Sequence, residues 1–121
     1  MLVFDRQQKR LQRDRAASHE NSAHFDFMRN DIADGLCDRL LDIKNHRFPR
    51  VLDFGAGPGT LLPLLARRND VTHVTLLDSS PKMIERARRT HEELLARAAG
   101  EGSGGLRPCR LCSRGVFPVL D

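Results

Sequence analysis

Phe25, Met28, Ile32, Leu36, Leu40 and Ile43 recur at intervals of three and four along the chain. That spacing gathers them on one helical face and predicts an amphipathic helix over 25–43 that packs against a sheet. The preceding stretch, 4–17, holds good helix formers and neither Gly nor Pro, so it predicts a helix too. Its apolar face is thin, with only Phe4, Leu11, Ala16 and Ala17, and such a helix is marginal unless it leans on another element. The polar residues 19–24 read as a loop. Residues 45–49 end the second helix, because Pro49 pushes Phe48 out of the helical region.

Beyond residue 49 the pattern changes. Residues 50–54 (RVLDF) are short, apolar and followed by glycines, which predicts a buried strand leading into a tight turn at 55–59. Thr60 is placed to cap a helix over 61–68, with Pro63 in its first turn, where a missing N–H costs little. Residues 71–77 (VTHVTLL) are β-branched and apolar and predict a second strand. Ser80 is a good N-cap and Pro81 a good first residue for a helix over 81–98, whose apolar content is Met83, Ile84, Ala87, Leu94 and Leu95. Strands alternating with helices imply an α/β fold with a parallel sheet and right-handed crossovers. Residues 100–105 read as a flexible linker. Residues 106–121 show no periodicity and are left as an unassigned tail. The expected organisation is therefore a helical lead at 1–49, an α/β unit at 50–99, and a linker with tail at 100–121.

Composition narrows the picture. With 40% hydrophobic and 30% charged residues, the chain of 121 residues is that of a folded domain and not a disordered segment. Six Phe with no Tyr or Trp argue against a base-stacking nucleic-acid module. The net charge of +4 is weighted to the start, where Arg6, Lys9, Arg10, Arg13 and Arg15 face only Asp5 and Asp14. This reads as a solvated helix face, with docking to an acidic partner or peripheral contact with membrane headgroups as the sharper alternative. No apolar run reaches the roughly 20 residues of a membrane span, and no secretory h-region is visible. Three cysteines without an export signal point to a reducing compartment. Cys109 and Cys112 form a lone Cys-x-x-Cys without the further ligands that zinc needs, and no metal site is expected.

The chemistry lies in VLDFGAGPGT, residues 51–60, and LLDSS, residues 76–80. A glycine turn between strand and helix lets backbone approach a ligand and is expected to leave N–H groups free at the helix start. Asp53 stands at the carboxyl end of the first strand and Asp78 at that of the second, where ligands bind in open α/β sheets. A second-strand carboxylate in this place suits ribose hydroxyls. A dinucleotide loop would read Gly-x-Gly-x-x-Gly; here the spacing is Gly-x-Gly-x-Gly. Asp53 would also repel a pyrophosphate, whereas it suits the ammonium of an amino-acid group. S-Adenosylmethionine is accordingly preferred over NAD.

VLDFGAGPG with Asp78 resembles the first two motifs of class I methyltransferases. The resemblance implies that Gly55, Ala56, Gly57 and Gly59 line the methionine part of the cofactor with Asp53 nearby, that Asp78 holds the ribose, and that Ser79 and Met83 lie near the adenine. It implies a seven-stranded sheet, so this chain is expected to be the amino-terminal portion of that Rossmann-like domain, truncated before its catalytic residues. Phe4-Asp5-Arg6, Phe25-Asp26, Asp38-Arg39 and Phe48-Pro49 precede the glycine turn in an order that resembles the mitochondrial complex I assembly factor 5 family. That resemblance covers residues 4 to about 85. It implies a matrix-side location at the inner membrane, assembly intermediates as partners, and hydroxylation of an arginine on an iron–sulfur subunit. A bacterial carboxyl methyltransferase of biotin synthesis shares a shorter version of this lead. The alternatives are an ordinary methyltransferase of a small carboxylate or quinone-like substrate, and an inactive fragment. No His-x-Asp…His iron triad is recognisable: His73 falls inside a strand, and the other histidines are scattered.

Overall fold

The computed structural model describes residues 5–100 and 110–113. Its elements are α1 (Arg6–Ser18), a 3-10 turn (Ser22–Asp26), α2 (Phe27–Asp42), β1 (Arg50–Phe54), α3 (Leu62–Ala66), β2 (His73–Leu77), α4 (Pro81–Gly100) and β3 (Arg110–Ser113). The three strands form one parallel sheet in the order β1-β2-β3. The expected parallel α/β arrangement is present.

Register explains where the core sits. Val51 pairs with Val74 and Asp53 with Leu76, while Leu52 pairs with Thr75 and Phe54 with Leu77. Paired residues project to the same face. On one face Val74 and Leu76 are fully buried and join Leu62 and Leu65 of α3 and Ile84 and Ala87 of α4 in one cluster, with Val51 half-buried against it. The other face shows Leu52 and Phe54, 59% and 73% exposed.

Local chemistry fixes the ends of these elements. The Asp5 side chain accepts from the Gln8 amide and caps α1. Met83 donates its amide to Ser80 Oγ at 3.1 Å, the N-cap bond expected for α4. The start of β1 is pinned by Asp70, which takes two hydrogen bonds from the Arg68 guanidinium and one from the Phe48 amide. The Arg68 bond, aided by that amide, holds the Asp70 carboxyl below the usual aspartate range. Arg68 also lies over the Phe48 ring, and the Pro49 carbonyl accepts from Thr72 and His73. Phe48-Pro49 thus registers β1 against β2.

Five expectations need correction. β1 is not a buried strand: its residues alternate between exposed and half-buried, because helices cover only one face of the sheet. The second helix does not lay its apolar stripe on the sheet. It packs on α3 and the 3-10 turn, buries only Ala33, and leaves Phe25, Met28, Ile32, Leu36 and Ile43 exposed. The periodicity identified a helix but not its partner. The helix expected over 25–43 is shorter: Phe25 and Asp26 belong to the 3-10 turn, where Asp26 pairs with Arg29 and with Arg86 of α4. Thr60 does not cap α3, whose N-cap is Leu61 with no side-chain cap bond, since the turn runs on past residue 60 before the helix begins. The stretch 106–121 is not wholly outside the fold: β3 lies in it, with Leu111 opposite Val74 and Cys112 opposite Thr75. The linker beyond Gly100, Cys109, Phe4 and the rest of the tail lie outside the described residues.

Candidate cofactor site

The glycine turn leaves β1 and doubles back on the end of β2. The amides of Gly55 and Ala56 both donate to the Leu77 carbonyl, at 2.8 and 2.9 Å, and the Gly57 amide donates to Asp78 Oδ2 at 2.8 Å. Asp78 Oδ1 accepts from the Ser80 amide at 2.8 Å. Asp78 therefore ties the glycine turn of one strand to the helix start of the next. The two strand ends meet on the same edge, as the motif reading requires.

This geometry revises one detail. Free N–H groups are expected at the helix start; within the turn before it, those of Gly55, Ala56, Gly57 and Gly59 are all spent within the protein. With a carboxylate already on Gly57 N–H and Asp53 beside it, the turn is a poor nest for a pyrophosphate. The preference against a dinucleotide gains a structural reason.

The three glycines serve different purposes. All have positive φ, at 82°, 55° and 79° for Gly55, Gly57 and Gly59. A Cβ on Gly55 or Gly57 would meet nothing within 4 Å, so their bare faces look into open space. A Cβ on Gly59 would come within 3.0 Å of Ala87 Cβ and of Leu62 Cδ1. Gly59 is thus a packing residue that lets α4 approach the turn, whereas Gly55 and Gly57 keep a surface clear.

That surface belongs to a cleft of about 250 Å³. Its floor is Asp53, Gly55, Ala56, Gly57 and Pro58; Thr60 and Leu61 form one wall. Ile32, Ala33 and Leu36 of α2 form the apolar opposite wall, and Arg13 and Arg29 bring positive charge to it. The exposed stripe of α2 thus has a use at the cleft. Burial, and then the nearby Asp78 carboxylate, push the Asp53 carboxyl above the usual aspartate range. A carboxylate so placed gains from a cationic ligand. One acid, two guanidiniums, bare glycine backbone and an apolar wall suit a zwitterion with an apolar middle, which is what the amino-acid end of S-adenosylmethionine is.

The other expected residues are distributed as follows. Asp78 has a fully buried side chain and is met by Arg13 Nη2 at 3.3 Å. Ser79 is exposed at the turn into α4. Met83 is 2% exposed and packed inside. Two residues of α1 reach the site without having been singled out for it: Arg13, and Asp14, which accepts from Ser80 Oγ at 2.5 Å and from the Lys82 amide at 3.4 Å. Both lay in a basic stretch that reads as a solvated face. A signal was available in the thin apolar content of that helix, which required it to lean on something. Among the described residues no group of three or more His, Cys, Asp or Glu is arranged to hold a metal ion.

Comparison with known proteins agrees with this geometry. Residues 51–101 match the methyltransferase-domain family. A solved structure of magnesium protoporphyrin IX methyltransferase from Synechocystis PCC 6803, with bound S-adenosylmethionine, superposes with a TM-score of 0.56 at 19% identity, over 95% of this chain and 57% of that one. The chain has a class I methyltransferase fold. It also resembles the mitochondrial arginine-hydroxylase NDUFAF5. The Dictyostelium discoideum protein of that name is 31% identical over 88 residues, covering 71% of this chain and 20% of the relative. A trans-aconitate 2-methyltransferase from Streptomyces coelicolor is 44% identical over 57 residues, covering 47% of this chain and 16% of the relative. The chain thus spans about a fifth of the length of the curated relatives it matches. S-Adenosylmethionine is the cofactor consistent with both the domain match and the ligand of the structural neighbour.

Proposed function

We propose that this chain forms the first part of an S-adenosylmethionine site, with the Gly55–Gly57 turn and Asp53 receiving the methionine end and Asp78 the ribose. The observation that carries this reading is the Gly57 amide bond to Asp78, which sets the turn and the second-strand acid side by side. Asp53 attracts the ammonium, the bare glycines admit the chain of the amino acid, and the α2 wall lies along its methylenes. When bound, the cofactor supplies an electrophilic methyl on sulfur. Calorimetric titration with S-adenosylmethionine tests the reading: binding in the wild type, weakened about tenfold or more by Asp53→Asn, is expected. Binding that Asp53→Asn leaves unchanged would refute it.

For the activity, the longer of the two alignments favours a mitochondrial protein of the arginine-hydroxylase type; we propose, from the resemblance of the lead motifs to that family, an iron–sulfur subunit of complex I as its substrate during assembly. In support, the lead motifs have structural roles: Asp5 caps α1, Asp26 pairs with Arg86, and Phe48-Pro49 registers the sheet. The mitochondrial matrix, beside the inner membrane, is the location that goes with it. The second reading, an ordinary methyltransferase of a small carboxylate, draws on the trans-aconitate 2-methyltransferase match. Mass spectrometry of the complex I subunit from cells lacking the protein separates them: loss of a hydroxyl on one arginine supports the first reading, and an unchanged subunit supports the second.

A further inference from the structure

Arg13 is placed unusually for a residue of a polar lead helix. It lines the cleft, and its guanidinium sits 3.3 Å from Asp78 Oδ2, the oxygen that also holds the Gly57 amide. The two Asp78 oxygens already accept from Gly57 and Ser80, and the carboxylate side chain has no exposed surface. Arg13, which also lines the cleft, covers the cleft side of this acid. The cleft, at about 250 Å³, lies below the roughly 300 Å³ at which pockets for whole small-molecule ligands begin. Asp78 does not line it, so on the cofactor-site reading the cleft takes one end of the ligand and the ribose extends past Arg13.

The neighbouring residue supplies the fixed point. Asp14 is held by Ser80 Oγ and the Lys82 amide at the start of α4, and α1 packs along α4. Arg13 is 45% exposed in its side chain and has a path outward; Asp14 has reason to stay.

We propose that Arg13 is a gate on Asp78, a specificity-determining residue whose guanidinium must yield to the vicinal hydroxyls of the ligand's ribose while Asp14 keeps α1 attached. This rests on the cofactor-site reading above. In the free protein Arg13 compensates a buried carboxylate, which would be costly to leave unpaired. In the complex the ribose hydroxyls supply hydrogen bonds in its place. Ligands without those hydroxyls gain nothing from opening the gate, so the gate favours ribosides over other zwitterions that fit the cleft.

The test is calorimetry of the full 121-residue chain with S-adenosylhomocysteine and with its 2′,3′-dideoxy analogue, for wild type, Arg13→Gln and Arg13→Lys. Arg13→Gln is expected to bind S-adenosylhomocysteine about fivefold more tightly, because no ion pair must be broken, and Arg13→Lys to remain close to wild type. The dideoxy analogue is expected to bind weakly, with no gain from Arg13→Gln. Hydrogen exchange gives an independent readout. Amides of Arg6–Ser18 should stay protected in all three proteins with and without ligand if Asp14 holds the helix. Weaker binding by Arg13→Gln would make Arg13 a direct ligand contact and overturn the gate, as would equal affinities. Release of the whole helix on binding would overturn the anchor at Asp14. Binding by none of the three proteins would remove the cofactor-site reading itself, and the gate with it.

Discussion

The two faces of the sheet were built from the same kinds of residue and ended differently. On one, Val74 and Leu76 vanish beneath α3 and α4, and the cluster reaches Leu62, Leu65, Ile84 and Ala87 without exposing any of them by more than a few per cent. On the other, Leu52 and Phe54 stand largely in solvent. Helices come to the first face because α3 and α4 each follow a strand and fold straight back over it. The cleft lies past the carboxyl end of β1, between the glycine turn and exposed α2. A turn tied down by hydrogen bonds on one side and an open helix face on the other are what a binding site of this type needs.

That contrast yields measurable expectations. The largest is in the core: Leu62→Ala should cost about 2–5 kcal/mol by denaturant titration, because its side chain is fully enclosed. Phe54→Ala, from the open face, should stay within about 1 kcal/mol. Equal losses would erase the distinction between the faces. Next come the glycines. Gly59→Ala combines a positive φ with contacts at 3.0 Å and should destabilise by about 2–3 kcal/mol. Gly57→Ala meets open space, so it should cost only the backbone strain, about 1 kcal/mol, and show its main effect as weaker cofactor binding. Asp26→Ala removes the carboxylate that joins the 3-10 turn to α4 through Arg86, which already has one buried nitrogen without a partner. A loss of about 1–3 kcal/mol is expected.

The smallest effect is the most diagnostic. Asp53 has its folded-state pKa raised by burial and by Asp78. A raised carboxyl pKa contributes stability that is present in acid, below the unfolded value, and is lost as pH rises through the folded one. At neutral pH the ionised group therefore opposes folding, and Asp53→Asn should be slightly more stable than wild type. The gap should close as pH falls toward the ordinary aspartate value of about 3.9, read by thermal melts across pH. A residue that lowers stability yet strengthens ligand binding is serving the site and not the fold.

The parts of the molecule governed by short-range rules were legible in the sequence. Strand, glycine turn and Ser80 cap depend on neighbours in the chain, and they lie where the pattern placed them. Asp53 and Asp78 could be placed because strand ends in an open α/β sheet define one edge. What was not legible depends on residues far apart. The Arg13 contact with Asp78 and the Asp14 contact with Ser80 join α1 to the second strand end, and nothing in a run of Arg, Lys and Asp says which of them turns inward. The apolar stripe of α2 was visible, but its use as a cleft wall was not, since periodicity gives a face and no partner. β3 was missed because it is only Arg110–Ser113, too short for alternation to show.

The central claim, that the glycine turn and the second-strand acid form one cofactor site, is tested most directly by an amide-resolved NMR titration with S-adenosylhomocysteine. The account predicts large shifts at Gly55, Gly57 and Asp78, with Arg13 following and the β1 start at Arg50 unmoved. Saturable shifts confined to other residues, or none at Gly57 and Asp78, would contradict it.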